Sequence, residues 1–446
     1  MWNRIYSIWT VTDLRNKILF TLCMLLIYRL LASISVPLTA VQQLKLTQLF
    51  ASNGDNGLGQ LLGLLDAFSG GSLQTFSIAA LGVYPYITAT IVMQLLGQII
   101  PALRDMQKEG GEEGRRKFSQ ITRLIAVPLA LLQAFSQLAI FVNAQILNAS
   151  DINLFSSNWL NVLSLLLTLT AGTMILVWFG ELITEYGLGN GTSLIIFAGI
   201  VSTLPGWIKQ FIVTTAAAGN GKGIVSIVIF VVVGILTMVG MVYLYQGQRR
   251  IAVKYPTKRQ VGRGMVIGSS QTTYIPMQVN SAGMVPLIFA NSLLLFPTLI
   301  SRYLSTSAVK WLASGAQWVV TYLANTTLWS YWLAYFVLVV GFTYMYAYMQ
   351  WEQQNIPETL QKQGAYVSNY RPGEPTRKYL LTILNRLTLA GALCLGLAAI
   401  LPFLVQIGGV QLLSTTKVLI TVGVVLDTMR QFDAQMVMRN YKGFLA

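Results

Sequence analysis

Arg29 and Asp427 are charged side chains standing inside long apolar runs, and they are the first places to look for chemistry. An ionisable group at membrane depth marks a functional site by default. A coupled transporter of a small solute carries several such groups near the midplane, and here only these two qualify clearly. An intramembrane protease needs a Ser-His pair or two aspartates at depth. The chain has no histidine, and Asp427 is alone at depth. The same absence excludes Ser-His-Asp and Cys-His catalysis and every histidine metal site. Cys23 and Cys394 lie in apolar runs and form no CxxC pair, so they suggest packing rather than a disulfide or zinc. No GxxxxGKS/T loop is present, so the chain should not hydrolyse nucleotides itself. The expectation is no enzyme, no cofactor and no metal. A secondary transporter of a small solute is the rival to weigh against any other transport function.

The elements that position these residues are read from hydropathy. Of 446 residues, 54% are hydrophobic and 10% charged, with a mean hydropathy of +0.60. Soluble domains carry about 25% charged residues, so this chain belongs in lipid. Apolar runs of about 20 residues give ten candidate spans, near 17–36, 74–97, 119–145, 159–180, 190–208, 223–245, 281–301, 329–350, 381–404 and 416–437. A short amphipathic helix from Trp2 to Trp9 is expected along the interface. The first apolar run, Ile18 to Ile34, is long enough to remain as a span. It shows no small-x-small cleavage site, so it is not read as a removable signal peptide.

Net charge is +15, which nucleic-acid binding could explain, but topology explains it first. With the N-terminus in the cytoplasm, 23 of the 30 Lys and Arg fall inside and 6 outside, with Arg29 within the first span. That asymmetry predicts both termini in the cytoplasm. The spans divide five and five around residues 209–222, giving halves 1–210 and 223–446. Because five is odd, the second half enters the membrane inverted, and inverted repeats place a functional path between them.

Several stretches carry a resemblance. Phe68-Ser69-Gly70-Gly71 precedes Ala80-Leu81-Gly82-Val83-Tyr84-Pro85-Tyr86-Ile87. Lys108-Glu109-Gly110 and Gly114-Arg115-Arg116-Lys117 follow. Gly189-Asn190-Gly191 opens the fifth span, leading to Ile195-Ile196-Phe197-Ala198-Gly199-Ile200. Gly247-Gln248-Arg249-Arg250 begins the largest basic loop. Asn280 and Ala282-Gly283 open the seventh span, and Arg371-Pro372-Gly373-Glu374 sits in the last long loop. In order and spacing, from about residue 14 to 440, the chain resembles the SecY family of protein-conducting channels.

The resemblance implies an all-α membrane protein of ten transmembrane helices, in two inverted five-helix halves around a central hourglass pore. It implies passage of unfolded polypeptides and sideways release of apolar segments into lipid. A plug, about 60–71 with Asp66, Phe68, Ser69, Gly70 and Gly71, would close the external funnel; an ordinary loop is the other reading. Val83, Ile87, Thr192, Ile196, Ile288 and Ile420 match an apolar ring at the waist, where a narrow hydrophobic neck gates by dewetting. Thr192 is expected to turn its hydroxyl back to the carbonyl of Gly189 or Leu188. Spans 2, 3, 7 and 8 would wall a lateral gate, with Thr88 and Phe296 facing across it. Asn190 and Asn280 match polar gate positions, although each also precedes an apolar run where Asn commonly caps.

Arg249, Arg250, Lys258, Arg259 and Arg371 match a cytoplasmic docking surface, while topology alone is the other account of such charges. The implied partners are SecE and SecG subunits, and the SecA motor or the ribosome. The implied location is the bacterial plasma membrane. Asp66, Thr192 and the stretch Ser414-Thr415-Thr416-Lys417 depart from the family pattern. Whether Arg29 and Asp427 meet is open from sequence.

Overall fold

The structure, a computed structural model, describes residues 12–36, 42–46, 66, 69–108, 111–143, 146, 159–217, 222–261, 265–304, 310–323, 328–367, 370–371, 373–404 and 413–442. The expected helix at Trp2–Trp9 lies outside these residues. In chain order the helices are α1 (Thr12–Ser33), α2 (Tyr84–Ile99), α3 (Pro101–Lys108), α4 (Gly111–Asn143), α5 (Trp159–Tyr186) and α6 (Gly191–Ala217). After these come α7 (Lys222–Gln246), α8 (Val285–Leu304), α9 (Lys310–Tyr322), α10 (Trp329–Gln354), α11 (Ile356–Lys362), α12 (Glu374–Leu404) and α13 (Leu413–Lys442). All but α3, α9 and α11 coincide with the ten apolar runs. Among the described residues, five segments are long and apolar enough to cross a membrane: Thr12–Ser33, Glu113–Val142, Trp159–Tyr186, Trp329–Lys362 and Glu374–Leu401.

The outer face of α1 is apolar, unlike that of a helix in a soluble protein. On α1, Leu19, Leu22, Leu26 and Leu30 are exposed at i, i+3 and i+4 spacing, whereas Thr21 and Tyr28 are buried. Lipid tails solvate the first stripe as readily as a protein core would.

The second span differs from its sequence reading of 74–97. Residues 70–83 form a succession of turns, and the helix starts only at Tyr84, with Pro85 in its first turn. Proline suits that position because the first amides of a helix have no partner to lose. The turns are buried: Leu73, Phe76 and Val83 are 0% exposed. Non-helical backbone is tolerated at membrane depth only inside protein. Here it bonds to the chain leaving α1, through Val36 N–Phe76 O at 2.9 Å and Ile78 N–Ile34 O at 3.1 Å.

The basic loop 246–280 amends the all-helical reading. It is an antiparallel hairpin of β1 (Gln248–Val261) and β2 (Met265–Gln278). A third strand, β3 (Tyr366–Val367), comes from the next long loop and pairs with β1 through Val253–Val367 and Lys254–Tyr366, giving the order β2-β1-β3. Alternation decides its orientation. Ile251 and Val253 point inward onto Trp351, Leu360, Leu380 and Leu384, while Arg250 points the other way and is exposed.

The first five long helices meet the last five along two seams. On one, α8 packs against α2 and α4; on the other, α13 and α7 pack against α6.

Candidate functional site

Five of the six ring residues are buried in one continuous apolar cluster. Val83 sits at the N-cap of α2 and Ile87 one turn on; Ile196 comes from α6, Ile288 from α8 and Ile420 from α13. None is more than 5% exposed. Thr192 is different. It is half-buried, and its hydroxyl faces α5: a Cβ on Gly180 would lie 3.2 Å from Thr192 Oγ1. The sequence reading had aimed that hydroxyl at the carbonyl of Gly189 or Leu188. The bare backbone of Gly180 leaves room for it beside the neighbouring helix instead.

Beside the cluster, the described residues of the 60–71 segment are gripped from two sides. Tyr28 Oη donates to Ser69 O at 3.3 Å, and Arg29 Nη1 donates to Gly70 O at 3.2 Å and to Ser202 Oγ at 3.1 Å. Ser202 Oγ lies 3.2 Å from the same Gly70 carbonyl and 2.7 Å from Gly199 O, placed to donate to either. Gly70 and Gly71 have φ of +71° and +83°, a conformation that favours glycine. A Cβ on Gly70 would lie 2.3 Å from Tyr28 Oη and 2.5 Å from Gly199 Cα, so the two backbones touch because neither residue has a side chain. Asp66 is 2% exposed and ties the turn together. Its carboxylate accepts from Gln74 Nε2 at 2.9 Å and Gln74 N at 3.3 Å, and its carbonyl accepts from Gly71 N at 3.0 Å. The charge that departed from the family pattern is thus fully hydrogen-bonded. Phe68 lies outside the described residues.

Arg29 is therefore occupied at Gly70 and Ser202, and Asp427 stands elsewhere. A Cβ on Gly283 would lie 3.4 Å from Asp427 Oδ2. Asp427 helps to line a cavity of about 300 Å³ with Asn190, Asn280, Arg430 and Thr428. The capping reading holds for Asn190 alone, because the Asn280 amide donates to a carbonyl instead of accepting from a helix N–H. Asn190 Oδ1 accepts from Ser193 N at 3.3 Å, capping α6, and Asn280 Nδ2 donates to Gly283 O at 3.1 Å ahead of α8. Both also face the same cavity.

On the seam between α8 and α2/α4, Tyr84 Oη donates to Ser292 O at 2.9 Å. Thr88, one turn along α2, bonds back to Tyr84 O and Pro85 O and accepts from Gln133 Nε2 of α4 at 3.1 Å. Phe296, one turn beyond Ser292, is half-buried on α8. Asn291 Nδ2 donates to Tyr335 Oη of α10 at 3.0 Å. At one end of the seam, Arg104 of α3 meets Glu352 of α10 at 3.4 Å. Sequence reasoning missed Tyr84, Gln133, Ser292, Arg104 and Glu352. Tyr84 and Gly199 stand inside stretches that carry the resemblance, but nothing in their types announced a cross-helix contact.

The basic residues gather on the hairpin and the loop it pairs with. Arg249 and Arg250 are exposed on β1. Lys258 and Arg259 stand opposite Gly268 and Ile267 in the ladder. Arg371 is exposed, and its carbonyl accepts from Thr376 Oγ1 at 2.7 Å. Tyr370 beside it stacks on Tyr379 with centroids 4.1 Å apart.

The family model for SecY matches residues 77–429 of this chain. The chain belongs to the SecY family. The protein translocase subunit SecY of Mycobacterium bovis is 39% identical over 441 residues, covering 97% of each chain. That of Bacillus subtilis is 37% identical with 100% of both chains covered, and that of Thermus thermophilus 38%. Among solved structures, one titled "The structure of a protein conducting channel" superposes with a TM-score of 0.63 over 95% of this chain and 93% of the other, at 18% identity. Sec61 in a canine ribosome-channel complex gives 0.60. SecY proteins are protein-conducting channels and not enzymes, and this chain is a multi-pass membrane protein of that family. The small-solute transporter finds no support in these relatives.

Proposed function

We propose that the chain forms a gated polypeptide pore between two inverted halves, 1–210 and 223–446, in a bacterial plasma membrane, with both termini in the cytoplasm. The observation that carries the reading is the plug contact: the turn at Gly70 is held by α1 and α6 directly beside an apolar cluster drawn from four helices. Val83, Ile87, Ile196, Ile288 and Ile420 make the neck, which excludes a water column yet forms no specific bonds to a passing chain. Thr192 borders it with its hydroxyl turned aside. The seam between α2/α4 and α8/α10 is the lateral gate, through which an apolar segment of about 20 residues leaves for lipid. Weak, separable contacts such as Tyr84–Ser292 suit a seam that must open.

The chain contains no engine, so drive comes from a SecA-type motor or a ribosome docked on Arg249, Arg250, Lys258, Arg259 and Arg371. Arginine suits both phosphates and carboxylates. SecE-like and SecG-like subunits complete the complex. The test is the double variant Thr88→Cys with Phe296→Cys, oxidised in proteoliposomes. Crosslinking should stop translocation of an unfolded precursor, and reduction should restore it. Full crosslinking with undiminished translocation would overturn the gate assignment.

A further inference from the structure

The helix α9 connects the gate helix α8 to α10, on the face of the membrane opposite the β-hairpin, and divides into three sectors. At 100° per residue, Leu312, Ala316, Val319 and Leu323 fall on one side; Ala316 is 6% exposed and Leu323 packs on the main apolar cluster. This side faces α8. Ser314, Gln317 and Thr321 fall within about 60° of one another on a second side and are exposed. Between these sectors lie Trp311, Trp318 and Tyr322, spaced i, i+7 and i+11, which places them within about 40°. They are 74%, 58% and 46% exposed. Trp318 and Tyr322 touch, with ring centroids 5.4 Å apart.

A soluble helix has two sides, and three sectors imply three media. Protein covers the first and water the second. The third is a row of large rings with polar N–H or O–H edges, the side chains that concentrate at headgroup level. The row also continues a surface that meets lipid. Ser330 Oγ donates to Tyr322 O at 2.9 Å, joining the end of α9 to the start of α10. There Trp329, Leu333 and Val337 run down the outer face at i+4 spacing, 70%, 50% and 58% exposed. We infer that α9 is an interfacial anchor: it lies in the headgroup layer with Trp311, Trp318 and Tyr322 dipped into lipid, tying the gate helix α8 to the bilayer surface.

Single cysteines at 311, 314, 317, 318, 321 and 322, in a Cys23→Ser, Cys394→Ser full-length background, test this. They are labelled with a nitroxide in phosphatidylethanolamine–phosphatidylglycerol vesicles. Oxygen should relax the labels at 311, 318 and 322 several-fold more than a water-soluble nickel chelate does, and the order should reverse at 314, 317 and 321. Equal chelate access at all six positions would place the helix in water and overturn the anchor. Protection of 311, 318 and 322 from both reagents would put a protein partner, not lipid, on that sector and also overturn it. Each position is read independently, so a single misfolded variant leaves the pattern intact.

Discussion

Replacing Gly70 by alanine should unseat the plug, and the structure sets the size of the effect. The residue sits at φ +71°, which costs an alanine about 1–2 kcal/mol. The added carbon would lie 2.3 Å from Tyr28 Oη and 2.5 Å from Gly199 Cα, so the turn must withdraw from α1 and α6. Withdrawal weakens the bonds from Tyr28, Arg29 and Ser202. Each neutral bond contributes about 0.5–1.5 kcal/mol. Even with the charged Arg29 bond left out, the smaller figures sum to ~2 kcal/mol against the seated state, a shift of roughly 30-fold in its population. Gly199→Ala attacks the same contact from α6, with its Cβ 2.7 Å from Gly70 Cα and no positive φ to confuse the result. Gly111→Ala is the control: φ is +55°, but nothing lies within 4 Å of the new carbon. Resting ion conductance of the purified complex in planar bilayers should rise with both Gly70→Ala and Gly199→Ala and stay at the wild-type level with Gly111→Ala. A tight Gly70→Ala channel at normal expression would refute the claim that this contact holds the plug.

Ile87→Asn with Ile288→Asn should also raise resting conductance, because an amide in a dry neck favours water by roughly 1–3 kcal/mol over staying unsolvated; Thr192→Val should leave it unchanged, and a double Asn variant as tight as wild type would remove these positions from the seal. Arg371→Glu should leave protein levels intact, since the recorded bond at this residue uses its carbonyl and not its side chain. It should slow precursor translocation about tenfold, equivalent to ~1.4 kcal/mol at a docking contact, measured as transport rate in vesicles with the motor supplied.

The ten long helices among the described residues were legible because lipid imposes a length and a composition on a crossing helix, and the hydropathy of each run is local information. The second span misled for the same reason. Residues 74–83 are as apolar as a helix, and only the turns around Phe76 and Gly82, stabilised by bonds to the end of α1, keep them from becoming one. The hairpin was hidden behind its charges. Its alternation of Arg250, Ile251, Ala252 and Val253 is a strand pattern, yet it becomes decisive only when Trp351 of α10 and Leu384 of α12 cover one face. Arg29 illustrates what no local pattern carries: its partner is a main-chain carbonyl 41 residues away, and carbonyls have no sequence signature. Asp66 reads as a misplaced charge until Gln74 satisfies it.

The pairing of β1 with β3 makes the loops at 246–280 and 351–380 a single mechanical part. A strand of 14 residues extends about 45 Å at roughly 3.3 Å per residue, longer than the hydrocarbon layer is thick. Its root is clamped where Val253 and Lys254 meet β3 and where Ile251 sits on α12. Beyond that clamp seven residues, about 23 Å at roughly 3.3 Å per residue, run to Val261, so a tilt of about 5° at the root sweeps the far end through about 2 Å. Run in reverse, a partner that displaces the far end delivers a geared-down torque to the base of α10 and α12. Substitutions in the hairpin and in the 366–371 segment should therefore behave as neighbours in genetic suppression, although about 90 residues separate them along the chain.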